Sequence, residues 1–228
     1  MKVATIICNH NFGEYVDGAI NSALNQTYPN TVFIIDDNST DNSMEIISKY
    51  QGRINIAKTD ENIGPSEARN ILIDAAINNG FDAVAILDAD DEMYPTKIEK
   101  CVAKLQSDEA IGVAYADYDT LHVEDGYLIP EYKQAFCRLK MAEHCIVHSG
   151  AVIKNEALLA VKNENGFYNR TMRTCEDYEL WVRISKKYII CHIAESLTLV
   201  RKHKKSSANI IPKSVWKENW EKVAKVYA

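Results

Sequence analysis

The chain has 228 residues, 46% of them apolar and 25% charged, and a formal net charge of −6. That balance suits one large soluble domain, or one domain with a small addition. It excludes a helical membrane span, because no apolar run reaches the ~18–20 residues that a bilayer requires. The opening MKVATIICNHNF carries too short an apolar run, Val3 to Cys8, for a secretory signal. Six cysteines (Cys8, Cys101, Cys137, Cys145, Cys175, Cys191) lack CxxC spacing. They read as reduced, mostly buried thiols of a cytoplasmic protein.

In chain order, KVATIIC is a short β run. EYVDGAINSALNQ places Val16, Ile20, Ala23 and Leu24 near helical spacing. TVFIIDD is a second strand, and STDNSMEIISKYQ a helix with Ser39 or Thr40 as caps. RINIAKT follows as strand, then GPSEARNILIDAAINNG as helix, with Pro65 at its entry and Gly80 past its end. FDAVAILDAD is a fourth strand, PTKIEKCVAKLQS a helix led by Pro95, and AIGVAYADYD a fifth strand. Apolar strands alternating with helices of about a dozen residues predict βαβ units, hence an α/β fold with a mainly parallel sheet.

The second half is less regular. EDGYLIPEYK reads as an excursion around Asp125-Gly126, and HCIVHSGAVIKNEALLAV as a strand and a short helix. CEDYELWVRISKKY is an amphipathic helix with Leu180, Trp181 and Ile184 inward; IICHIAESLTLVRKH is strand. PKSVWKENWEKVAKVYA is a terminal helix with Val215, Trp216, Trp220, Val223 and Tyr227 near one face, a stripe that suits core packing. From Arg201 onward eight Lys/Arg face two Glu, so the tail is basic against an acidic body. Such a tail is either a solvated helix face or a surface for phosphates or an anionic membrane.

Ligands of open α/β sheets gather at the carboxyl ends of the strands. Asp36 and Asp37 end one strand, and Asp88, Asp90 and Asp91 end another. They can therefore face one crevice. The second group crowds like charges, and a hard divalent cation such as Mn²⁺ or Mg²⁺ would answer that repulsion. Asp37 could meet a base or ribose, or cap the next helix. Arg69, one turn inside its helix, can pair with Asp37 or a loop carboxylate. Glu176 and Asp177 start a helix whose dipole favours negative charge; either is an N-terminal carboxylate of that helix or a general base. His203, in the basic loop after a strand, is solvated or a metal or phosphate contact.

VATIICNHN, ALNQTYPNTVFIIDDNSTDNS, NIGPSEARN, ILDADDEMYP, CEDYELWVRI and VRKHKKSS, in this order from about Lys2 to Ser207, resemble glycosyltransferase family two, the inverting enzymes of the GT-A fold. The resemblance implies a Rossmann-like sheet flanked by helices, with a small C-terminal acceptor-side portion. It implies a GT-A domain over 1–207, with a nucleotide-sugar half (1–119) and an acceptor and catalytic half (120–207), then a helix over 208–228. It places Cys8, His10, Asn11, Asp37 and Arg69 at the nucleotide, with Asp88 and Asp90 at the ribose and diphosphate. Asp90, Asp91 and His203 would hold Mn²⁺ or Mg²⁺. Asp177, with Glu176 beside it, would be the base. The donor would be a nucleotide-diphosphate sugar, by default a UDP-sugar. The acceptor would be a carbohydrate or lipid-linked sugar. No nucleic-acid partner is expected; a homo-oligomer and peripheral membrane contact through the basic tail are compatible with it. His10 stands where the family commonly carries an aromatic residue.

Competing readings lack their signatures. A sugar nucleotidyltransferase would want a Gly-rich loop after the first strand, and an oxidoreductase GxGxxG; CNHNFGEYVDG provides neither. A catalytically silent nucleotide-sugar-binding module is the remaining alternative, and Asp177 argues against it.

Overall fold

The computed structural model describes residues 1–227, with side chains through Val226. In chain order the elements are β1 (Val3–Asn9), α1 (Val16–Leu24), β2 (Asn30–Asp36), α2 (Ser43–Ser48), β3 (Asn55–Lys58), α3 (Pro65–Asn78), β4 (Ala83–Asp88), β5 (Glu92–Met93) and α4 (Lys97–Gln106). Then come β6 (Ile111–His122), β7 (Tyr127–Glu131), α5 (Arg138–Met141), β8 (Val152–Lys154), α6 (Asn155–Leu159), α7 (Glu176–Ser185), β9 (Ile189–Lys202), α8 (Ser207–Ile210) and α9 (Lys213–Tyr227). One sheet runs β3-β2-β1-β4-β8-β6-β9-β5, with β7 paired to β6.

The expected parallel block is β3-β2-β1-β4. Its alternating residues divide between two cores. Ala4, Ile6, Phe33, Ile35, Val84 and Ile86 face the side of α3 and α7. Val3, Ile7, Val32, Ile34, Ala85 and Leu87 face the side of α1 and α4. Both faces are apolar because both are covered. Each fully buried Ile or Val side chain contributes about 1.5–3 kcal/mol relative to exposure.

The remainder departs from the simple pattern. Antiparallel β8 separates β4 from the expected fifth strand, β6, which then pairs parallel with β9. Periodicity carries no strand direction, so this insertion was invisible to it. β5, two residues long, is too short to show a period. The excursion around Gly126 is a hairpin: β7 returns antiparallel on β6, and Gly126 sits at φ +72.

Two helix details are also corrected. α2 starts at Ser43, not after Ser39 or Thr40, because the Ser39 hydroxyl is drawn to the buried Asp36 carboxylate at 2.6 Å. In α9 the inward residues include Asn219 and Val223, while Trp220 is 41% exposed. The shift follows from a buried hydrogen bond, Asn219 Nδ2 to Thr174 Oγ1 at 2.9 Å, which turns that face toward α7. The side chain of Tyr227 lies outside those described. All six cysteines are free; only Cys101 is buried, and the other five are half-buried.

Candidate active site

The carboxyl ends of β1, β2 and β4 lie side by side. Cys8 pairs in register with Ile35 on one side and Asp88 on the other. Thus Cys8, Asp36 and Asp88 meet at one edge, as the sequence pattern required.

The two aspartates at the end of β2 are occupied by backbone and side-chain donors of the neighbouring loops. Asp36 Oδ1 accepts hydrogen bonds from Asn9 Nδ2 (2.8 Å) and Ser39 Oγ (2.6 Å), and Oδ2 from Ser39 N (3.0 Å). Asp37 Oδ1 accepts from Ile63 N (2.8 Å) and Thr59 Oγ1 (3.0 Å), and Oδ2 from Gly64 N (2.8 Å). Asp37 therefore shapes the loop entering α3, and both its oxygens already have donors. Asn11, at φ +60, closes the β2–α2 loop: its Oδ1 accepts from Thr40 N at 2.8 Å. His10 Nδ1 donates to the Asp37 carbonyl at 2.6 Å, which leaves Nε2 to accept from Asn11 Nδ2 at 3.1 Å. A donating Nδ1 fixes the neutral tautomer. The Cys8 thiol is pushed up to about 12, chiefly by burial, so it stays protonated.

The loop after β4 divides its three aspartates among different partners. Asp88 Oδ1 pairs with Arg69 Nη2 at 2.7 Å, and Oδ2 accepts from Ser149 Oγ at 3.2 Å. Burial opposes its charge, but the Arg69 guanidinium outweighs it and holds the carboxyl below its ordinary range. Asp90 Oδ2 lies 3.1 Å from His203 Nε2, and its carboxyl is raised by burial and by Asp88. Asp91, 6% exposed, turns inward: its Oδ1 accepts from Arg201 N at 2.9 Å. Burial, then Asp90 and Asp88, push it well above the carboxylate range. Arg201 also donates from Nη1 to the Asp90 carbonyl at 2.9 Å and pairs with Glu92.

His203 is 3% exposed and stacks on Tyr15 with centroids 4.6 Å apart. Its Nδ1 accepts from Lys205 N at 3.2 Å, so Nε2 carries the proton facing Asp90. A hollow of about 320 Å³ adjoins it, lined by His122, Glu124, Lys202, Lys204, Ser206 and Asn209 among others. A larger hollow, about 530 Å³, lies by Met1, Asp82 and Lys154, at the amino ends of the parallel strands and away from these carboxylates.

Across the cleft, α7 starts after Cys175, which adopts a left-handed φ of +59. Glu176 Oε1 pairs with Arg69 Nη1 at 2.8 Å. Asp177 Oδ1 accepts from Tyr178 N at 2.7 Å. Its carboxyl is raised to about 7, first by burial and then by the neighbouring Glu176 charge. Arg69 thus joins two segments that sequence separates by 88 positions, and it pairs with Asp88 and Glu176, not with Asp37.

Several residues near this cleft escaped the sequence reading. Ser149 touches Asp88, and His148 lies beside it, its ring 4.4 Å from Tyr118. Lys133 Nζ sits 5.3 Å over the Tyr118 ring. Lys97 is fully buried and donates to Thr198 Oγ1 at 2.7 Å. No spacing rule marks these positions; only the HSG triplet (148–150), a histidine and a serine before a glycine in an apolar run, offered a signal.

A cation was expected here. Among the described residues, no three His, Cys, Asp or Glu side chains converge as a ready-made metal cage. The residues still fit Mn²⁺ or Mg²⁺. Such ions bind through one or two carboxylates and complete their shell with phosphate oxygens and water. Asp90, half-buried and close to the Asp88 charge, has His203 as its side-chain partner and would gain from a cation beside it.

This sheet, with acidic strand ends facing a second carboxylate pair, has the GT-A fold of glycosyltransferases, as the family and structural matches show. The family model "Glycosyl transferase family 2" matches residues 4–161, and the chain belongs to that family. An uncharacterized glycosyltransferase of Haemophilus influenzae is 28% identical over 225 residues, covering 91% of this chain and 68% of that protein. The Escherichia coli UDP-Glc:alpha-D-GlcNAc-diphosphoundecaprenol beta-1,3-glucosyltransferase WfaP is 31% identical over 196 residues, covering 82% of this chain and 71% of that one. Staphylococcus aureus TarS 1-349 in complex with UDP-GlcNAc superposes with a TM-score of 0.73 at 16% identity, over all of this chain and 71% of that one. At that identity the likeness concerns the fold. Among the described residues, no helix is long and apolar enough to cross a membrane.

Proposed function

We propose that the protein transfers a sugar, with inversion, from a nucleotide-diphosphate sugar to an acceptor hydroxyl, and that Asp177 is the general base. The observation carrying this reading is the Asp177 carboxyl: half-buried at the start of α7, raised to about 7, and next to Glu176, which Arg69 bridges to Asp88 at the end of β4. A base poised near neutral pH both accepts and releases a proton efficiently. Asp177 would take the acceptor proton as that oxygen attacks the anomeric carbon, and the nucleoside diphosphate would leave from the opposite face. One base suffices for such a direct displacement.

Asp90 and His203 are the residues that would hold Mn²⁺ or Mg²⁺. The ion would supply positive charge for the departing diphosphate. His203 would first have to give up the Nε2 proton it shares with Asp90. Asp91 is the weaker candidate, because its carboxyl is turned to the β9 backbone. Cys8, His10 and Asn11 would frame the nucleotide, with Asp37 setting the loop around it. UDP is the donor nucleotide we favour, since TarS binds UDP-GlcNAc and the Escherichia coli relative is named for UDP-Glc. The latter name also makes a lipid-linked sugar diphosphate the acceptor class to test first. The exposed lysines 202, 204 and 205 would suit an anionic headgroup surface.

The test is release of nucleoside diphosphate from a panel of UDP-, GDP- and dTDP-sugars, with Mn²⁺ or Mg²⁺ and lipid-linked or free glycan acceptors. Acceptor-dependent release supports a transferase. Tight donor binding without release under every condition would return the protein to a silent binding module.

A further inference from the structure

We infer that Arg69 is a positioning residue: by bridging Asp88 and Glu176 it holds the acidic loop after β4 and the base-bearing start of α7 at one fixed spacing. This rests on the reading of Asp177 as base. It differs from the expected place of Arg69 among the nucleotide-sugar contacts.

The guanidinium is committed on both sides. Nη2 lies 2.7 Å from Asp88 Oδ1, and Nη1 lies 2.8 Å from Glu176 Oε1. The three side chains are 11%, 29% and 13% exposed, so water screens the bridge only in part. The guanidinium also lies 5.2 Å over the Tyr168 ring. Both terminal nitrogens are therefore used within the protein.

Neighbouring residues of α3 reinforce the same register. Asn70 Nδ2 donates to the Tyr168 carbonyl at 2.9 Å, and its Oδ1 accepts from Tyr168 N at 2.8 Å. Ser66 Oγ donates to the Met172 carbonyl at 3.2 Å. Positions 66, 69 and 70 thus form one seam between α3 and the segment leading into α7, and Arg69 extends that seam to β4. A planar fork can serve two carboxylates at once; an ammonium is a single point charge.

The groups facing Asp177 are Glu176 and Cys175 beside it, Arg69 from α3, Asp88 from β4, Cys145 and Tyr168. Arg69 is the one cation among them. Its removal would leave Asp88 and Glu176 unopposed around the base. The base should then ionise at higher pH.

The test uses Arg69→Met and Arg69→Lys in the full chain, with donor KM, kcat and UDP inhibition measured across pH. For Arg69→Met we expect kcat to fall about 100-fold, with donor KM and UDP inhibition changed less than about twofold. The acid limb of kcat should also move to higher pH. Arg69→Lys keeps the charge, so its acid limb stays while kcat remains low. In Arg69→Met/Glu176→Gln one of the two orphaned carboxylates, the one beside the base, is gone, so the acid limb should move part of the way back and the two losses should not multiply. Weaker donor binding with an unmoved acid limb would overturn the inference and make Arg69 a nucleotide contact. Wild-type kcat in Arg69→Lys would also overturn it. If Arg69→Met does not fold, as judged by circular dichroism, Arg69→Lys and the double variant decide the matter by the same readings. Asp177→Asn, assayed alongside, separates the two proposals. If it loses transfer while Arg69→Met changes only KM, the bridge alone fails. If it turns over normally, the base assignment fails.

Discussion

Replacing Asp177 by Asn should inactivate the protein and stabilise it. The Asp177 carboxyl is raised to about 7 from an ordinary value of 3.8. A raised value means that the folded state keeps the proton after the unfolded chain has released it. The favourable contribution is present in full below the unfolded value and is lost as pH rises through about 7. Three pH units at about 1.4 kcal/mol each make a cost on the order of 4 kcal/mol for the ionised form at neutral pH. Asp177 is half-buried, so solvent screening reduces this toward about 2 kcal/mol. Asparagine has nothing to ionise and nearly the same shape. In urea unfolding the variant should therefore exceed the wild type in stability, and the gap should widen by about 1–3 kcal/mol between about pH 5 and pH 8. Over the same range wild-type kcat should rise with an apparent pKa near 7, while the variant should stay inactive. A constant stability gap, or a wild-type kcat indifferent to pH below about 8, would refute the argument that Asp177 is held protonated by its surroundings.

Three further outcomes follow from other parts of the molecule. Asp90→Asn should abolish metal-dependent donor binding in calorimetry with Mn²⁺; unchanged binding would remove Asp90 from the cation site. Lys97→Met should stabilise the fold by about 3 kcal/mol at pH 7, because the ammonium is buried against a neutral hydroxyl and its value is lowered to about 8, chiefly by burial. That gap should close between about pH 8 and pH 10.5, where the folded state has shed the proton and the unfolded chain has not; a variant no more stable at pH 7 would contradict it. Gly166→Ala should destabilise by about 2 kcal/mol or more, read as a drop in Tm. Gly166 holds φ +101, and an added Cβ would stand 2.3 Å from Asn70 Nδ2.

The parallel half of the fold was legible because both of its faces are buried and its strands read as continuous apolar runs. Asp36, Asp37 and Asp88 were legible as one edge for the same reason: strand ends in a parallel block must align. The antiparallel half was less so. β8 contributes three residues, and nothing in Val152–Lys154 announces that it runs against β4. Partner choice was the least legible feature. Arg201 was counted with a solvated basic tail, yet it is folded onto Asp90, Asp91 and Glu92. Arg69 had several carboxylates within plausible reach, and only the tertiary fold selects Asp88 and Glu176 over Asp37. Charge pattern reveals that carboxylates need partners; it does not say which partner each one takes.

That selection bears on the acidic loop after β4. Its carboxylates look equivalent in sequence, and their mutual repulsion would be shared if all faced the cleft. The fold makes them unequal. Asp88 is neutralised by Arg69 and kept ionised; Asp91 is turned to the β9 backbone with its charge disfavoured by burial. Asp90 alone faces a group, His203, whose other ring nitrogen is already occupied by backbone. In the proposed reaction this leaves one carboxylate whose charge is wanted only when a cation and diphosphate arrive. A cleft with three free anions would repel a nucleotide diphosphate. One in which the single remaining aspartate is hydrogen-bonded to a histidine repels it far less, and it can still take up the ion with the donor. Binding of metal and donor should therefore be mutually dependent: calorimetric affinity for Mn²⁺ should be weak alone and should strengthen when UDP is present, by the same factor that Mn²⁺ strengthens UDP.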